Sequence, residues 1–296
     1  MSALARDYQL LGRLAEGASG EIVLARQRGK DSDRYVVIKR LRARTAADPR
    51  AIDGMIREAR VLASASHPNI CQILEAGVDQ GRAYLVLEYL DGLAVNRILR
   101  GAEQSGNAIA PRAVGAIAVQ VCVGLHHVHR LTDLGGRPLG VIHRDISPHN
   151  LLVTTAGAVK IVDFGVARVA QRAATHTGAI RGKVGYMAPE QERGEELDAR
   201  ADLFALGRVM QRCLCGAGMG GAALALVAAR ACADRPRDRP ASAAMLADEI
   251  ERSLAGEGGI MTPSELAEWL ARDLGAELAA WQARVEQAIR ARPADR

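Results

Sequence analysis

The chain has 296 residues, 49% hydrophobic and 25% charged, so it can bury the core of one large domain or two small ones. Its net charge of +5 comes from basic residues scattered among acidic ones, which argues against a nucleic-acid-binding protein. The longest apolar stretch, near residues 113–125, is too short to span a bilayer, and no run of signal-peptide length opens the chain. We therefore expect a cytoplasmic protein that binds neither a membrane nor a nucleic acid.

The five cysteines are odd in number and lie mostly in apolar patterns. Cys213 and Cys215 are spaced like a metal-binding pair, but no second Cys or His pair follows at ligand spacing. We expect reduced core thiols, which fits a cytosolic protein.

Residues 8–90 read as a β-rich first unit. Two apolar runs joined by a glycine-containing turn open it, and a short β-branched run follows. Residues 48–64 place Ile52, Ile56, Ala59 and Leu62 at helical spacing. The predicted strands lie within residues 8–27, 35–41, 69–77 and 83–90.

Residues 91–254 read as a mainly helical second unit. Residues 113–129 and 201–214 predict two buried helices, and short β-branched runs at 151–153 and 159–161 predict a small sheet between them.

The end of the chain predicts a linker over residues 255–261 and one amphipathic helix over residues 262–292. Thr262, Pro263 and Glu265 form the pattern of a capping box with proline at the first helical position. An apolar stripe along this helix needs a partner. We expect this stripe to dock on the second unit, over a stretch of that unit that has fewer residues than usual. The alternative is that two chains associate through the stripe, so the oligomeric state stays open.

Five short motifs carry the chemistry. Gly17 and Gly20 lie between two strand-like runs, and Lys39 ends the run VVIK. They are followed by HRD at residues 143–145, with Asn150 five residues beyond Asp145. The last two motifs are DFG at residues 163–165 and APE at residues 188–190.

In this order the motifs resemble those of the protein kinase family, and more narrowly of bacterial serine/threonine kinases. The resemblance covers roughly residues 8–254 and implies an α+β fold of two lobes, a β-rich N-lobe and a helical C-lobe. It implies transfer of the γ-phosphate of ATP, with Mg²⁺, to Ser or Thr of protein substrates, including the kinase itself. Asp145 would accept the hydroxyl proton, Lys39 paired with Glu58 would hold the α- and β-phosphates, and Asn150 and Asp163 would hold Mg²⁺.

The resemblance also assigns the nucleotide pocket. Glu88 to Leu90 would form the hinge, with Leu87 as gatekeeper, Asp202 would anchor the catalytic loop, and Arg239 would pair with Glu190. The implied nucleotide-binding residues are Ala15, Gly17, Gly20, Ile22, Val37, Lys39, Glu88, Leu90 and Leu152.

Four departures from the family pattern keep other functions open. Ala15 replaces the first loop glycine, Ala94 replaces a polar residue near the ribose, Ser147 replaces a lysine, and the stretch from Asp202 to Arg239, with its αG region, is short. A pseudokinase that binds nucleotide without turnover is one alternative. A small-molecule kinase is another, but those enzymes lack the APE motif and its arginine.

Two further hypotheses concern the segment after the DFG motif. Thr175 and Thr177 have the spacing of autophosphorylation sites that Arg144 and Arg168 would clamp; an ordinary polar loop is the alternative. Lys183 occupies the place of a threonine that normally meets the lysine replaced by Ser147. We expect Lys183 to bring its ammonium to the γ-phosphate, the alternative being a lysine in solvent.

Overall fold

The first lobe is a five-stranded antiparallel sheet. It is seen in a computed structural model that describes residues 3–17, 20–28, 34–41, 52, 56, 59, 63, 66–133, 135–163, 184–216 and 221–290. A short helix, α1 (Ala3–Asp7), precedes the sheet, whose strand order is β1-β2-β3-β5-β4. The strands are β1 (Tyr8–Gly17), β2 (Gly20–Gln27), β3 (Arg34–Leu41), β4 (Ile73–Asp79) and β5 (Arg82–Glu88).

The β-branched run in β3 explains its central place, because Val36 and Ile38 are completely buried. The described residues of the predicted helix over 48–64, which are Ile52, Ile56, Ala59 and Ala63, are helical. Ile52, Ile56 and Ala59 pack with the main core, as their spacing predicted, and Ala63 joins them; the predicted Leu62 lies outside the described residues.

The second lobe is mainly helical and surrounds a small sheet of three strands. The helix over Pro111–His129 is buried on nearly all sides because its sequence is apolar around its whole circumference. The strands are β6 (Gly92–Ala94), β7 (Leu151–Thr154) and β8 (Val159–Ile161). The helices are α2 (Val95–Ser105), α3 (Pro111–His129), α4 (Pro189–Glu192), α5 (Arg200–Cys213), α6 (Ala222–Ala231) and α7 (Ala243–Leu254).

The end of the chain forms two helices, so the prediction of one helix over 262–292 was wrong. Helix α8 (Pro263–Asp273) begins at the predicted capping box, with Thr262 and Glu265 bonding each other's backbone N–H groups. Helix α9 (Gly275–Arg290) follows a break at Leu274, whose φ of −120° and ψ of 18° leave the helical range. The break lets the buried Leu274 side chain reach Gly101 of α2, a contact that a continuous stripe does not anticipate.

Both end helices dock on the rest of the chain, as predicted, but the main contacts in the described part of the chain lie away from the short αG region. Helix α8 lies on α3, where Leu266, Trp269 and Leu270 join the main core. Helix α9 packs mainly on β1 of the first lobe. Glycines on β1 and α2 let the end of the chain approach these two elements closely, which helps to explain where it docks.

All five cysteines are free, and Cys71, Cys122 and Cys213 are buried as predicted. Cys215 is exposed, because it lies beyond the end of the buried face of α5. In the described part of the chain, no helix combines the length and apolar character needed to cross a bilayer.

Candidate active site

A lysine and an aspartate meet between the lobes. Lys39 lies on the central strand β3, opposite Ile22 of β2 and Leu85 of β5, and its side chain is 8% exposed. Its Nζ lies 2.7 Å from Oδ1 of Asp163, which follows β8. The predicted partner Glu58 lies outside the described residues. A buried lysine needs a compensating charge, and in this structure Asp163 supplies it.

Asp145 and Asn150 form the second polar pair of the site. The Asn150 side chain donates from Nδ2 to the Asp145 backbone oxygen (2.8 Å) and to its Oδ2 (2.9 Å). The Asn150 backbone N–H closes the loop by donating to the Ser147 oxygen at 2.9 Å. This sets the orientation of the Asp145 carboxylate, and the Asn150 amide oxygen stays available as a ligand.

The buried Asp202 of α5 holds the loop that carries Asp145. Its Oδ2 accepts from the His143 backbone N–H (2.8 Å) and lies 2.9 Å from His129 Nε2, while Oδ1 accepts from the Arg144 N–H (2.8 Å). Arg144 has a φ of 63°, which is uncommon for a residue other than glycine and persists only where the surroundings enforce it. Two bonds to adjacent N–H groups provide that enforcement.

Charge and burial act in opposite directions on Asp202. Burial alone would raise its pKa, but the hydrogen bond from His129, the charge of His129 and the hydrogen bond from the His143 backbone N–H outweigh it, so the pKa is lowered. The carboxylate is therefore ionised in the folded protein at neutral pH.

His143 is completely buried, and burial lowers its pKa, so its ring is neutral. Its Nδ1 accepts from the Asp145 N–H at 3.2 Å, which leaves Nε2–H to donate to the Val162 oxygen at 3.3 Å. The ring therefore links the Asp145 loop to the segment that carries Asp163.

A cleft of about 200 Å³ lies beside these polar groups, and most of the predicted nucleotide-binding residues line it. Glu88 is among the lining residues, and its Oε1 is bound to Lys160 Nζ at 2.7 Å and to the Gln72 N–H. The predicted residues in the lining are Ala15, Ile22, Val37, Lys39, Leu87, Glu88, Leu90, Leu152 and Asp163.

Gly17 and Gly20 are paired at the end of the β1–β2 hairpin, outside the lining of the cleft. Gly20 has a φ of 140°, and a Cβ there would lie 2.0 Å from the Arg40 backbone oxygen. Only glycine fits, which gives Gly20 a structural reason to be present.

Sequence reasoning missed several residues of the cleft. Val162 adjoins the predicted Asp163, so a search of the neighbouring positions would have found it. Trp281 lies far along the chain in α9, where no local pattern relates it to the cleft. The residues missed, apart from Ala94, which was named for its place near the ribose, and Tyr89, which lies within the predicted hinge, are Leu14, Cys71, Gly92, Arg97, His149, Val162 and Trp281.

Glu190 and Arg239 form a buried bidentate ion pair, with Nη1–Oε1 at 2.6 Å and Nη2–Oε2 at 2.8 Å. Burial would raise the pKa of Glu190, but the hydrogen bonds and charge of Arg239 lower it. The guanidinium also donates to three backbone oxygens and lies 4.9 Å from the Phe204 ring centroid. Its donors are satisfied, so the pair fixes α4 against the start of α5.

The remaining predicted groups of the site, Lys183, Thr175, Thr177 and Arg168, lie outside the described residues. Ser147 is described: its hydroxyl is buried and has no hydrogen-bond partner in the described part of the chain. Residues Asp145, Ser147 and Tyr186 line one small cavity.

Residues 8–221 match the protein kinase domain. The chain belongs to the protein kinase family. Two bacterial kinases are among its relatives. One is the tyrosine-protein kinase MasK of Myxococcus xanthus, 44% identical over 68% of this chain and 31% of that protein. The other is the serine/threonine-protein kinase PknB of Mycobacterium tuberculosis, 35% identical over 73% of this chain and 33% of that protein. The chain thus spans about a third of the length of these curated relatives.

The kinase fold has solved counterparts. The Mycobacterium tuberculosis PknI kinase domain matches with a TM-score of 0.67 and 24% identity, over 84% of this chain and 96% of that one. The predicted family resemblance and the α+β bilobal kinase fold are confirmed.

Proposed function

We propose that this kinase domain transfers the γ-phosphate of ATP to serine or threonine hydroxyls of proteins. One observation carries the proposal: the Lys39–Asp163 pair lines a cleft between the lobes, and the loop that holds the Asp145–Asn150 pair reaches the same cleft at His149. The name of PknB supports serine and threonine as acceptors. The name of MasK makes tyrosine the second candidate.

In the proposed reaction the acceptor oxygen attacks the γ-phosphorus while the bond from that phosphorus to the β–γ bridging oxygen breaks. ADP leaves with the bond's electron pair, and the hydroxyl proton passes to the Asp145 carboxylate. Asn150 holds Oδ2 of this carboxylate at 2.9 Å, so the base is oriented before the substrate arrives. The ammonium of Lys39 would neutralise phosphate charge, which is the main task in phosphoryl transfer.

Asn150 and Asp163 suit Mg²⁺ as the metal, because an amide oxygen and a carboxylate are hard oxygen donors. The Asn150 amide oxygen is available, since the amide nitrogen makes both bonds to Asp145. Bound Mg²⁺ would neutralise charge on the β- and γ-phosphates. In the described part of the chain, no cluster of three or more His, Cys, Asp or Glu offers another metal site.

For the base of ATP, we propose that Ile22, Val37 and Leu152 form its apolar walls and that the backbone of Glu88 to Leu90 binds its edge. Ala15 and the Gly17–Gly20 hairpin would cover the phosphates. Glu58 remains the proposed stabilising partner of Lys39 once phosphate and metal engage Asp163. The free, mostly buried cysteines support a reducing, cytoplasmic location.

Purified protein incubated with labelled ATP and Mg²⁺ should phosphorylate a generic basic acceptor protein, and acid hydrolysis should recover phosphoserine or phosphothreonine. Recovery of phosphotyrosine alone would replace this proposal by the tyrosine candidate. ATP binding without transfer to any protein would indicate a pseudokinase.

The same incubation should add phosphate to Thr175 or Thr177. A phosphothreonine adds about −1.5 to −2 charge, which Arg144 and Arg168 are placed in sequence to bind. Intact-mass analysis followed by peptide mapping measures this. Active enzyme without phosphate at either threonine would contradict the hypothesis.

Lys183 should supply the positive charge that a lysine in the place of Ser147 would otherwise provide. Ser147 occupies a lysine position, and its buried hydroxyl lies in the cavity that Asp145 and Tyr186 also line. Lys183 directly precedes Val184, where the described chain resumes. Lys183→Thr should therefore reduce turnover about tenfold or more, since a cation near developing charge acts mainly on the transition state.

A double-mutant cycle provides the control. Adding Ser147→Lys to Lys183→Thr should restore much of the turnover, because contacting positions give non-additive effects. Ser147→Lys alone should not raise turnover. If Lys183→Thr leaves turnover unchanged, Lys183 faces solvent.

A further inference from the structure

Helix α9 brings an aromatic side chain to the nucleotide cleft from outside the residues that match the kinase domain. The helix packs against β1 and β2 of the first lobe and against β6 and α2 of the second. Trp281 of α9 lines the cleft. It packs both on the main core and on the apolar cluster that joins α9 to β1 and β2. The indole therefore has a fixed place at the side of the cleft.

The Arg97 side chain of α2 lies on this indole and lines the same cleft. Its guanidinium carbon is 4.5 Å from the Trp281 ring centroid, which is a cation–π contact. The contact holds the guanidinium in place but offers no oxygen acceptor to its five N–H donors.

The donors of Arg97 are free and accessible. In the part of the chain that the structure describes, the guanidinium forms no hydrogen bond and no ion pair, and none of its nitrogens is closed off from solvent. The residue as a whole is half-buried. An oxygen of a ligand can therefore reach these donors without displacing a protein partner.

The charges around Arg97 also favour a ligand. Burial, reinforced by the charge of Arg284, lowers the pKa of Arg97, the charge of Glu277 opposes this shift, and the charge of Arg100 adds to it. An arginine stays protonated in spite of such a shift. A half-buried cation beside two other arginines is stabilised when acceptor oxygens surround it.

The position of Arg97 on α2 indicates which part of ATP it would meet. Ala94 is the N-cap of α2 and Arg97 lies three residues on, so the two share one face of the helix, and both line the cleft. The sugar is the part of ATP between a base at the hinge and phosphates at Lys39. Ala94 has no polar side chain for it, whereas Arg97 has donors and a side chain long enough to reach over Ala94.

We propose that Arg97 is a nucleotide-binding residue whose guanidinium donates to hydroxyl oxygens of the ATP sugar, and that Trp281 is the positioning residue that holds it. The inference rests on the proposed function, since it takes ATP as the ligand. The matched kinase domain covers residues 8–221, so α9 would add a positioning group from outside it. ATP binding and docking of α9 are then linked, and each strengthens the other.

Affinities for ATP, 2′-deoxy-ATP and 3′-deoxy-ATP, taken from the rise in melting temperature, test the contact. The unaltered chain should prefer ATP over at least one deoxy analogue by about 3- to 10-fold, and Arg97→Ala should lose that preference with a similar loss of ATP affinity. Arg100→Ala is the matched control and should keep both, because Arg100 is exposed on the same helix and lies outside the cleft lining.

Adenosine separates the sugar from the phosphates as the source of the acceptor oxygens. It has both sugar hydroxyls and no phosphate, so Arg97→Ala should weaken the binding of adenosine and of ATP by the same factor. A loss confined to ATP would place Arg97 on the phosphates and overturn the assignment to the sugar.

Trp281→Ala tests the positioning role. It should lower the ratio of the ATP affinity to the deoxy-analogue affinity, whereas a purely structural role would lower both affinities equally. Trp281→Phe keeps an aromatic face for Arg97 and should retain most of the ratio. An unchanged ratio in Trp281→Ala would refute the positioning role.

Equal discrimination in Arg97→Ala and the unaltered chain, or no discrimination in the unaltered chain, would overturn the assignment of Arg97. No stabilisation of the unaltered chain by ATP would instead refute the proposed function, so the two failures are distinguishable.

Discussion

Asp145→Asn should lower turnover by about 10²- to 10⁴-fold while ATP with Mg²⁺ still raises the melting temperature. The asparagine keeps the size of the side chain and its bond from Asn150, but it cannot take the hydroxyl proton, and general bases contribute about this factor. Binding should persist, because the phosphates and metal are assigned to Lys39 and Asp163. Initial rates at saturating ATP and a thermal-shift titration measure the two effects on the same sample.

Asp163→Asn is the informative comparison. It removes the charge that pairs with Lys39 at 2.7 Å and would hold the metal, so it should reduce turnover and nucleotide stabilisation together. Asp145→Asn with unaltered turnover would refute the assigned base. Loss of ATP binding in Asp145→Asn would show instead that this carboxylate acts on the nucleotide.

The parts of the site that sequence predicted are those carried by short contiguous motifs. Asp145 and Asn150 lie on one loop, so their spacing alone brings them together, and the structure places them 2.9 Å apart. The strands were predicted for a similar local reason, since β3 is a run of β-branched residues between polar ends. The Glu190–Arg239 pair was reached through family resemblance, because 49 residues separate its members and no local pattern joins them.

The parts that sequence missed depend on contacts between distant segments. The break at Leu274 follows from packing against Gly101, whereas the apolar stripe through residues 262–292 reads as continuous. Trp281 falls on that apolar stripe by its spacing, yet it lines the nucleotide cleft. A period of 3.6 residues identifies the face that is buried, but not the surface that buries it.

Asp202→Asn should destabilise the folded protein by about 3 kcal/mol or more. Three donors converge on the two carboxylate oxygens: the N–H groups of His143 and Arg144 and the His129 ring. An asparagine has one acceptor oxygen and places its NH₂ against at least one of these donors. The positive φ of Arg144 then loses part of its support, so turnover should fall as well. Urea denaturation and initial rates measure the two effects.

The pH dependence gives this prediction a second readout. The lowered pKa of Asp202 means that its ionised form contributes stability above its unfolded pKa of about 3.9, and that this contribution is lost as pH falls through the folded value. The pKa of His143 is also lowered in the folded protein, so the folded protein loses stability as pH falls below about 6.5. This loss begins at a higher pH than the loss caused by Asp202. Asp202→Asn should therefore remove the loss of stability at the lowest pH and leave part of the loss near pH 6.

Asp273→Asn, which alters an exposed ion pair with Arg272 at the end of α8, is the matched control and should change stability by less than about 0.5 kcal/mol. If Asp202→Asn were as mild as this control, the donors of His129, His143 and Arg144 would have other acceptors. The catalytic loop would then keep its shape without α5. A large loss in Asp202→Asn with an unchanged profile at the lowest pH would instead assign the acid sensitivity to another carboxylate, of which the buried Glu190 is the first to test by the same substitution.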